Sequence, residues 1–190
     1  MMRNSSDGYG LVAIVLHWTI ALLFLAQIAL GLAMVRIGDQ RLAFELIQWH
    51  KSFGFLILGL VLVRTGWRLA EAVPRPLPGP AWEQGAAILV HLLLYALMIV
   101  LPLTGWALVS VSVLEIPTFA FYLVLVPHLP LGVSEQAEEF WTAAHVYAGY
   151  LVMVLIAVHV AAALRHHFIL RDHALRRMVR PADHGTIKAE

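Results

Sequence analysis

Long apolar segments without charged residues dominate the chain. Three of these segments are longer than the roughly 20 residues that a helix needs to cross a bilayer. They cover residues 9–35, 85–114 and 140–164. A fourth span is interrupted by Lys51 and Arg64, whose long side chains we expect to reach the membrane interfaces. The pattern therefore predicts four membrane-spanning helices, over about residues 9–35, 44–69, 84–113 and 138–166.

A fifth apolar stretch, residues 116–134, is not predicted to be another span. It contains Pro117, Pro127 and Pro130, so at most about ten residues lie between prolines, and these are too few for a spanning helix. We expect this stretch to form a loop or a short helix that lies on the membrane surface.

Basic residues are divided unequally between the two predicted faces of the bundle, and this bias sets the orientation of membrane proteins. With four spans, one face carries ten Lys and Arg residues, and the other carries only Arg36, Arg41 and Lys51. The richer face holds both termini and the loop at residues 70–84. Both termini are therefore predicted to be cytoplasmic.

Composition supports the membrane assignment and excludes several classes of protein. Of the 190 residues, 61% are hydrophobic and 13% are charged, and the mean hydropathy is +0.79, which excludes a soluble globular enzyme and a disordered chain. The lack of cysteine excludes iron–sulfur clusters and covalently attached c-type haem. A net charge of +1 gives no basic field for nucleic acid. Residues 1–180 are predicted to form one all-α, integral membrane four-helix bundle, and residues 181–190 a polar tail.

Histidines inside the predicted spans are the strongest functional signal, because polar side chains within a membrane are costly. His145 and His159 are fourteen residues apart on the fourth span. This spacing is just under four helical turns and about 21 Å, so both rings project from nearly the same face, one in each leaflet. His50 matches the depth of His145, whereas His17 and His91 both match the depth of His159.

Two imidazole pairs at different depths suit two haems stacked across the membrane, each held between facing helices. Periodicity leaves open whether His17 or His91 pairs with His159. The same histidines would also suit interhelical hydrogen bonding without a metal, or a haem-free transporter or proton channel.

Several short motifs, in their order and spacing, resemble the bacterial cytochrome b561 family. They are LHW at 16–18, WHKSFG at 49–54, HLLLYALMIVLPLTGW at 91–106 and HVAAALRHHFILRDHALRRM at 159–178. Together with the His145/His159 pair, they extend the resemblance over almost the whole chain. The resemblance implies two haem b groups, an inner one held by His17 and His159 and an outer one held by His50 and His145. It also implies that His91 is not a ligand.

The resemblance further implies a multi-pass protein of the bacterial inner membrane that works as an oxidoreductase. Electrons would pass between a donor at the outer face, preferably superoxide, and the ubiquinone pool. The alternative within this resemblance is a haem-bearing membrane anchor for a hydrogenase or dehydrogenase. That enzyme would then be the redox partner at the outer face.

Other residues near the span ends are weaker candidates. Lys51 and Arg41 could contact haem propionates or attract superoxide, or serve only as interfacial anchors. Donors and aromatic residues at the cytoplasmic end could contact quinone or propionate, although a solvated helix end would also account for them. These are His166, His167, Arg165, Arg171, Trp18 and Trp67. Gln27, Thr19 and Thr104 are polar residues within the predicted spans and give weak functional signals. Four glycines could allow haem or a neighbouring helix to approach closely: Gly54, Gly59, Gly105 and Gly149.

Overall fold

Four long helices make up most of the protein. The computed structural model describes residues 1–6 and 8–181, so the predicted tail beyond Pro181 lies outside the described residues. The helices are α1 (Leu11–Met34), α2 (Gln40–Ala70), α3 (Ala81–Val111) and α4 (Glu135–Arg165). Each is long and apolar enough to cross a membrane, which confirms the predicted all-α fold with four candidate spans. The cytoplasmic placement of the termini stays a prediction.

Helices α2 and α4 begin a few residues before the predicted spans because local caps start them. The side chain of Asp39 accepts hydrogen bonds from the backbone N–H groups of Arg41 and Leu42 at the start of α2. The side chain of Ser134 accepts one from the N–H of Ala137 at the start of α4. Such side chains satisfy N–H groups that have no partner within the helix. The helices therefore extend beyond the apolar segments from which the spans were predicted.

A narrow apolar seam between the helices forms the core. Helix α1 packs mainly against α2, and α3 packs mainly against α4. The buried members of the seam are Ile20, Phe24, Ile57, Val61, Leu97, Val152 and Leu155. Many large apolar side chains face outward instead, as Leu22 and Val154 do. Lipid tails are as apolar as leucine, so this exterior suits a bilayer and leaves close packing and hydrogen bonds to hold the helices together.

The loop between α3 and α4 contains a two-stranded antiparallel hairpin, β1 (Thr118–Ala120) and β2 (Val124–Val126). The expected loop is confirmed, but the alternative of a short helix is wrong. Phe121 and Tyr122 form the tip with positive φ angles. The N–H of Phe121 donates to the Ser52 hydroxyl at 2.9 Å, and the indole of Trp106 donates to the Pro127 carbonyl at 3.0 Å. The hairpin is thereby fixed against α2 and α3.

The opposite end of the bundle is closed by segments from both ends of the chain. Arg3 pairs with Glu71 at 2.7 Å. After α4, a π-helical turn (His166–Leu170) and a short 3-10 helix (Arg176–Met178) return toward α1. The Trp18 indole on α1 donates to the Met178 carbonyl at 2.7 Å. The C-terminal segment therefore lies against the helix that carries His17.

Candidate functional site

The outer histidine layer contains His50 from α2 and His145 from α4. Their ring centroids are 6.1 Å apart, and the ring planes are inclined by 88°. The hairpin lies at the same end of the bundle, because the Ser52 that anchors it is two residues from His50. The structure therefore brings together the two residues that sequence depth had paired.

The inner layer contains three imidazoles from three helices. The ring of His159 on α4 lies 6.3 Å from that of His17 on α1, with the planes inclined by 71°. It lies 5.3 Å from the ring of His91 on α3, also at 71°. Both residues that the sequence left as possible partners of His159 are therefore present in this layer.

Metal–imidazole geometry can test whether these layers fit haem. An imidazole nitrogen binds a metal at about 2.0 Å and lies about 1 Å from its own ring centre, so rings on opposite sides of one iron have centroids about 6 Å apart. The His50–His145 and His17–His159 separations fit this value. The His91–His159 separation is shorter than such a pair needs. Both predicted pairs can thus accommodate iron, and at the inner layer the ring spacing favours His17.

The outer histidine pair has a set of supporting contacts around His145. Nδ1 of this ring lies 3.1 Å from the Leu101 carbonyl and 3.0 Å from the Thr104 hydroxyl. Because a carbonyl oxygen only accepts, Nδ1 carries the proton, and Nε2 is left as the nitrogen that can bind a metal. Thr104 also donates to the Leu101 carbonyl at 2.7 Å. The weak polar signal of Thr104 in the sequence thus belongs to the site.

On the other side of this layer, α1 supports the helix that carries His50. The Gln27 amide donates to the His50 backbone carbonyl at 2.7 Å. A Cβ added at Gly31 would lie 3.2 Å from Cε1 of His50, and one added at Gly105 would lie 3.1 Å from Cε1 of His145. Both rings therefore occupy space that only glycine leaves open. Of the four glycines singled out in the sequence, only Gly105 faces a histidine this closely, and Gly31 was missed.

Replacing Thr104 with valine tests its contact with His145. Valine keeps the shape but removes the hydroxyl, so the ring loses one of its two Nδ1 partners. Hydrogen bonds to the second nitrogen of a ligating imidazole raise its basicity, and their loss costs about 10-fold or more in metal affinity or activity. We expect a higher midpoint potential for a haem bound at His145 and weaker haem retention in spectroelectrochemical titration.

The Thr65→Val variant is the matched control, because the Thr65 hydroxyl donates to the Val61 carbonyl of its own helix at 2.8 Å and has no other partner among the described residues. Thr104→Ser should restore the wild-type potential. Equal shifts for Thr104→Val and Thr65→Val would show that Thr104 has no particular role at His145.

Arg64 lies differently from the expectation that it extends to the membrane interface. Its Nη1 donates to the Ala13 carbonyl of α1 at 3.2 Å, and its Nε donates to the Tyr95 hydroxyl of α3 at 3.1 Å. The side chain therefore turns inward between helices. Neither α1 nor α3 could be oriented from the sequence well enough to show this.

The six residues proposed for quinone or propionate fall into two groups. Trp18 packs edge-on against His17 and bonds the C-terminal segment, whereas Trp67 lines a cavity with Arg64 and Tyr95. The other four lie close together in the chain at the end of α4. Arg165 pairs with Glu83 on α3 at 3.2 Å. His167 and Arg171 are exposed, and His166 is half-buried.

His166 is held by the turn that follows it. Its Nδ1 lies 2.5 Å from an oxygen of Asp172, so this nitrogen donates and Nε2 has no partner among the described residues. Partial burial opposes ionisation of Asp172, but the bonds from His166 and the Ala174 N–H hold the pKa of this carboxyl below its usual value. The imidazole is thus oriented by a carboxylate.

The two basic residues predicted at the outer end are not equivalent. Lys51 directly follows His50 and has no acidic partner in the part of the chain that the structure describes. Arg41 lies about two and a half turns before His50 on α2. It is exposed and pairs with Glu45 at 3.4 Å. The charge of Lys51 is therefore free of a described acidic partner, whereas the charge of Arg41 is paired with Glu45.

A four-helix membrane bundle with facing imidazoles at two depths defines a membrane cytochrome of the b type. The profile of the family described as prokaryotic cytochrome b561 matches residues 8–181. The chain therefore belongs to the prokaryotic cytochrome b561 family, whose members are haem b proteins that transfer electrons in the bacterial inner membrane. The resemblance seen in the sequence and the multi-pass inner-membrane location are confirmed.

Individual relatives support the same family over most of the chain. Cytochrome b561 homolog 2 of Escherichia coli (strain K12) is 33% identical over 181 residues, which is 93% of each chain. Cytochrome b562 of Cereibacter sphaeroides is 30% identical over 185 residues, or 94% of this chain and 99% of the relative. A protein of Yersinia pestis named probable superoxide oxidase CybB is 31% identical over 131 residues, or 68% of this chain and 72% of the relative.

Proposed function

We propose that this protein holds two haem b groups and transfers electrons from superoxide at the outer face to ubiquinone at the cytoplasmic face. The observation that carries the proposal is the pairing of His50 with His145 and of His17 with His159 at two levels of one bundle. His145 and His159 are about 21 Å apart along α4. The two pairs therefore lie near opposite faces.

The balance of the reaction is simple. Two superoxide anions each lose one electron and become dioxygen, and one ubiquinone takes both electrons and two protons to become ubiquinol. When bound, haem iron supplies the one-electron chemistry. The protein's own part is to hold the two groups at fixed depths, to exclude water between them and to bring each substrate to its face.

At the outer face, we assign attraction of superoxide to Lys51. Lys51 directly follows His50 on α2, and its charge is not neutralised by a described acidic side chain. Arg41 has a smaller part, because Glu45 already pairs with it. The name of the Yersinia pestis relative supports superoxide as the donor.

At the cytoplasmic face, we assign the quinone to the region between Trp18 and His166. A quinone carbonyl needs a donor beside an apolar surface, and Nε2 of His166 is available while Asp172 holds Nδ1. Trp18 packs against His17 and supplies the flat apolar wall. His167, Arg165 and Arg171 lie close to His166 in the chain, and we assign them a supporting part in quinone binding, with the Arg165 charge partly neutralised by Glu83.

Superoxide oxidation coupled to quinone reduction tests this function directly. In purified protein with a short-chain ubiquinone, pulsed superoxide should yield one ubiquinol per two superoxide anions. Lys51→Met should slow the reaction, by about tenfold at low salt, and weaken its dependence on ionic strength. Arg36→Met, a control on the same predicted face, should leave the rate unchanged.

The other candidate functions predict different results. Haem that superoxide does not reduce, together with a dehydrogenase or hydrogenase that co-purifies, would replace this proposal with the membrane-anchor function. Folded protein without haem would contradict the cytochrome function altogether and favour a transporter or proton channel.

A further inference from the structure

Arg64 places a positive charge beside the inner histidine layer. Two of its N–H groups donate hydrogen bonds to neighbouring helices. Nη1 donates to the Ala13 carbonyl of α1, and Nε donates to the Tyr95 hydroxyl of α3. Ala13 is one turn before His17 on α1, so the guanidinium lies near the level of the inner rings.

This charge has no acidic partner in the part of the chain that the structure describes. The second terminal nitrogen, Nη2, also has no acceptor among the described residues. An arginine inside a spanning helix is costly and is normally paired. The bonds to Ala13 and Tyr95 orient the guanidinium but do not neutralise its charge, so the side chain is suited to bind an anion.

Two neighbours extend this positive site. The Arg68 guanidinium stacks over the Tyr95 ring, 5.5 Å from its centroid, and the Arg64 guanidinium lies 5.8 Å from the same centroid. The indole N–H of Trp67 is buried and has no hydrogen-bond partner among the described residues. All four side chains line one cavity. Two guanidinium groups and an indole side chain therefore line one cavity, and no described acidic side chain pairs with either guanidinium.

The size of this cavity limits what can occupy it. Its volume is about 20 Å³, which accommodates a group of about the size of a water molecule or a carboxylate end. A quinone ring needs far more room. Planar guanidinium groups bind carboxylate and phosphate oxygens with paired, charge-assisted hydrogen bonds. The site is therefore suited to a single oxyanion.

We propose that Arg64, Arg68 and Trp67 form an oxyanion site that binds a propionate carboxylate of the inner haem. The inference rests on the proposed function, since it needs a haem between His17 and His159. A lipid phosphate offers similar oxygen chemistry, but the Arg64 guanidinium is bonded between α1 and α3 at the level of the histidines. A haem held by His17 and His159 would bring its propionates near the level of this guanidinium, so haem is the source of the carboxylate that we propose.

The site also has a consequence for the redox potential of the inner haem. Fixed positive charge beside the cofactor, and neutralisation of its propionate, both favour the reduced form. Replacing Arg64 with glutamine should lower the midpoint potential of the inner haem. We expect about a tenfold change in the ratio of reduced to oxidised haem, which corresponds to about 59 mV for one electron.

The experiment compares purified holoprotein carrying Arg64→Gln, Arg64→Lys or the control Arg176→Gln. Arg176 is exposed on the same predicted face, so its replacement removes the same charge away from the inner layer. Resonance Raman spectroscopy measures the bending band of the propionates, and a redox titration measures both potentials. Arg64→Gln should shift the propionate band and lower one potential. Arg64→Lys should keep most of the potential but still shift the band, because ammonium lacks the planar fork.

Two outcomes would overturn the inference while leaving the proposed function intact. The first is two normal haems whose propionate band is the same in Arg64→Gln and wild type. The second is loss of a tightly bound phospholipid, detected by native mass spectrometry, without any change in the band. Failure of the proposed function would give a different result. The wild-type protein would then contain no haem whose binding is lost in the His159→Ala variant.

Discussion

The His145→Ala variant is expected to retain one of the two proposed haems, and so is the His159→Ala variant. Each change removes one of two imidazoles from a single proposed iron site. The two sites are independent, because His145 and His159 are about 21 Å apart along α4. Pyridine haemochrome analysis of purified protein gives the count. The two variants should lose different haems, which can be distinguished by their midpoint potentials.

Double variants test the pairing more sharply than single ones. His50→Ala combined with His145→Ala should lose no more haem than either alone, because both residues serve one site. His145→Ala combined with His159→Ala should lose both haems. His91→Ala is the matched control and should retain two. Loss of a haem in His91→Ala, with retention in His17→Ala, would reverse the assignment at the inner layer.

The two depths of the histidine pairs in the membrane could be predicted from the sequence, because one helix carries a histidine of each pair. His145 and His159 lie on α4, and helical geometry fixes both their common face and their separation. The choice between His17 and His91 could not be made in this way. That choice depends on how α1 and α3 are rotated about their axes relative to α4. This rotation is set by contacts between helices, which cannot be derived from the sequence of one helix.

The direction of the Arg64 side chain could not be predicted from the second span alone. An arginine near the end of an apolar segment is normally expected to extend to the interface. Arg64 turns inward because the Ala13 carbonyl and the Tyr95 hydroxyl, on two other helices, accept its hydrogen bonds. Its nearest sequence neighbours give no sign of either acceptor.

The helix starts and the hairpin show the opposite case, in which a signal was present in the sequence. Asp39 and Ser134 are residues of the type that caps helices, and both lie just before the observed starts. In the loop, β-branched and aromatic residues around Phe121 favour strands over a surface helix. Ser52 and Trp106 then hold the hairpin in place, and the contact from Ser52 joins segments far apart in the sequence.

Replacing Gly105 with valine is expected to release the outer haem. A Cβ at this position would lie 3.1 Å from Cε1 of His145, which is closer than ordinary van der Waals contact. The ring cannot easily move away, because the Leu101 carbonyl and the Thr104 hydroxyl hold its Nδ1. Alanine should distort the ligand and change the potential of one haem. Valine, with two further carbons, should reduce the haem count from two to one.

Gly85 provides the control in the same helix, since a Cβ added there meets nothing within 4 Å. Gly85→Val carries the same small cost of a β-branched residue in a helix, so any general effect on α3 appears in both variants. Gly31→Val should reproduce the Gly105→Val loss from the other side of the layer, because its Cβ would lie 3.2 Å from Cε1 of His50. If Gly105→Val and Gly31→Val both kept two intact haems with unchanged potentials, neither ring would occupy the space beside these glycines. The outer pair could then not be the ligands of one iron in the arrangement described.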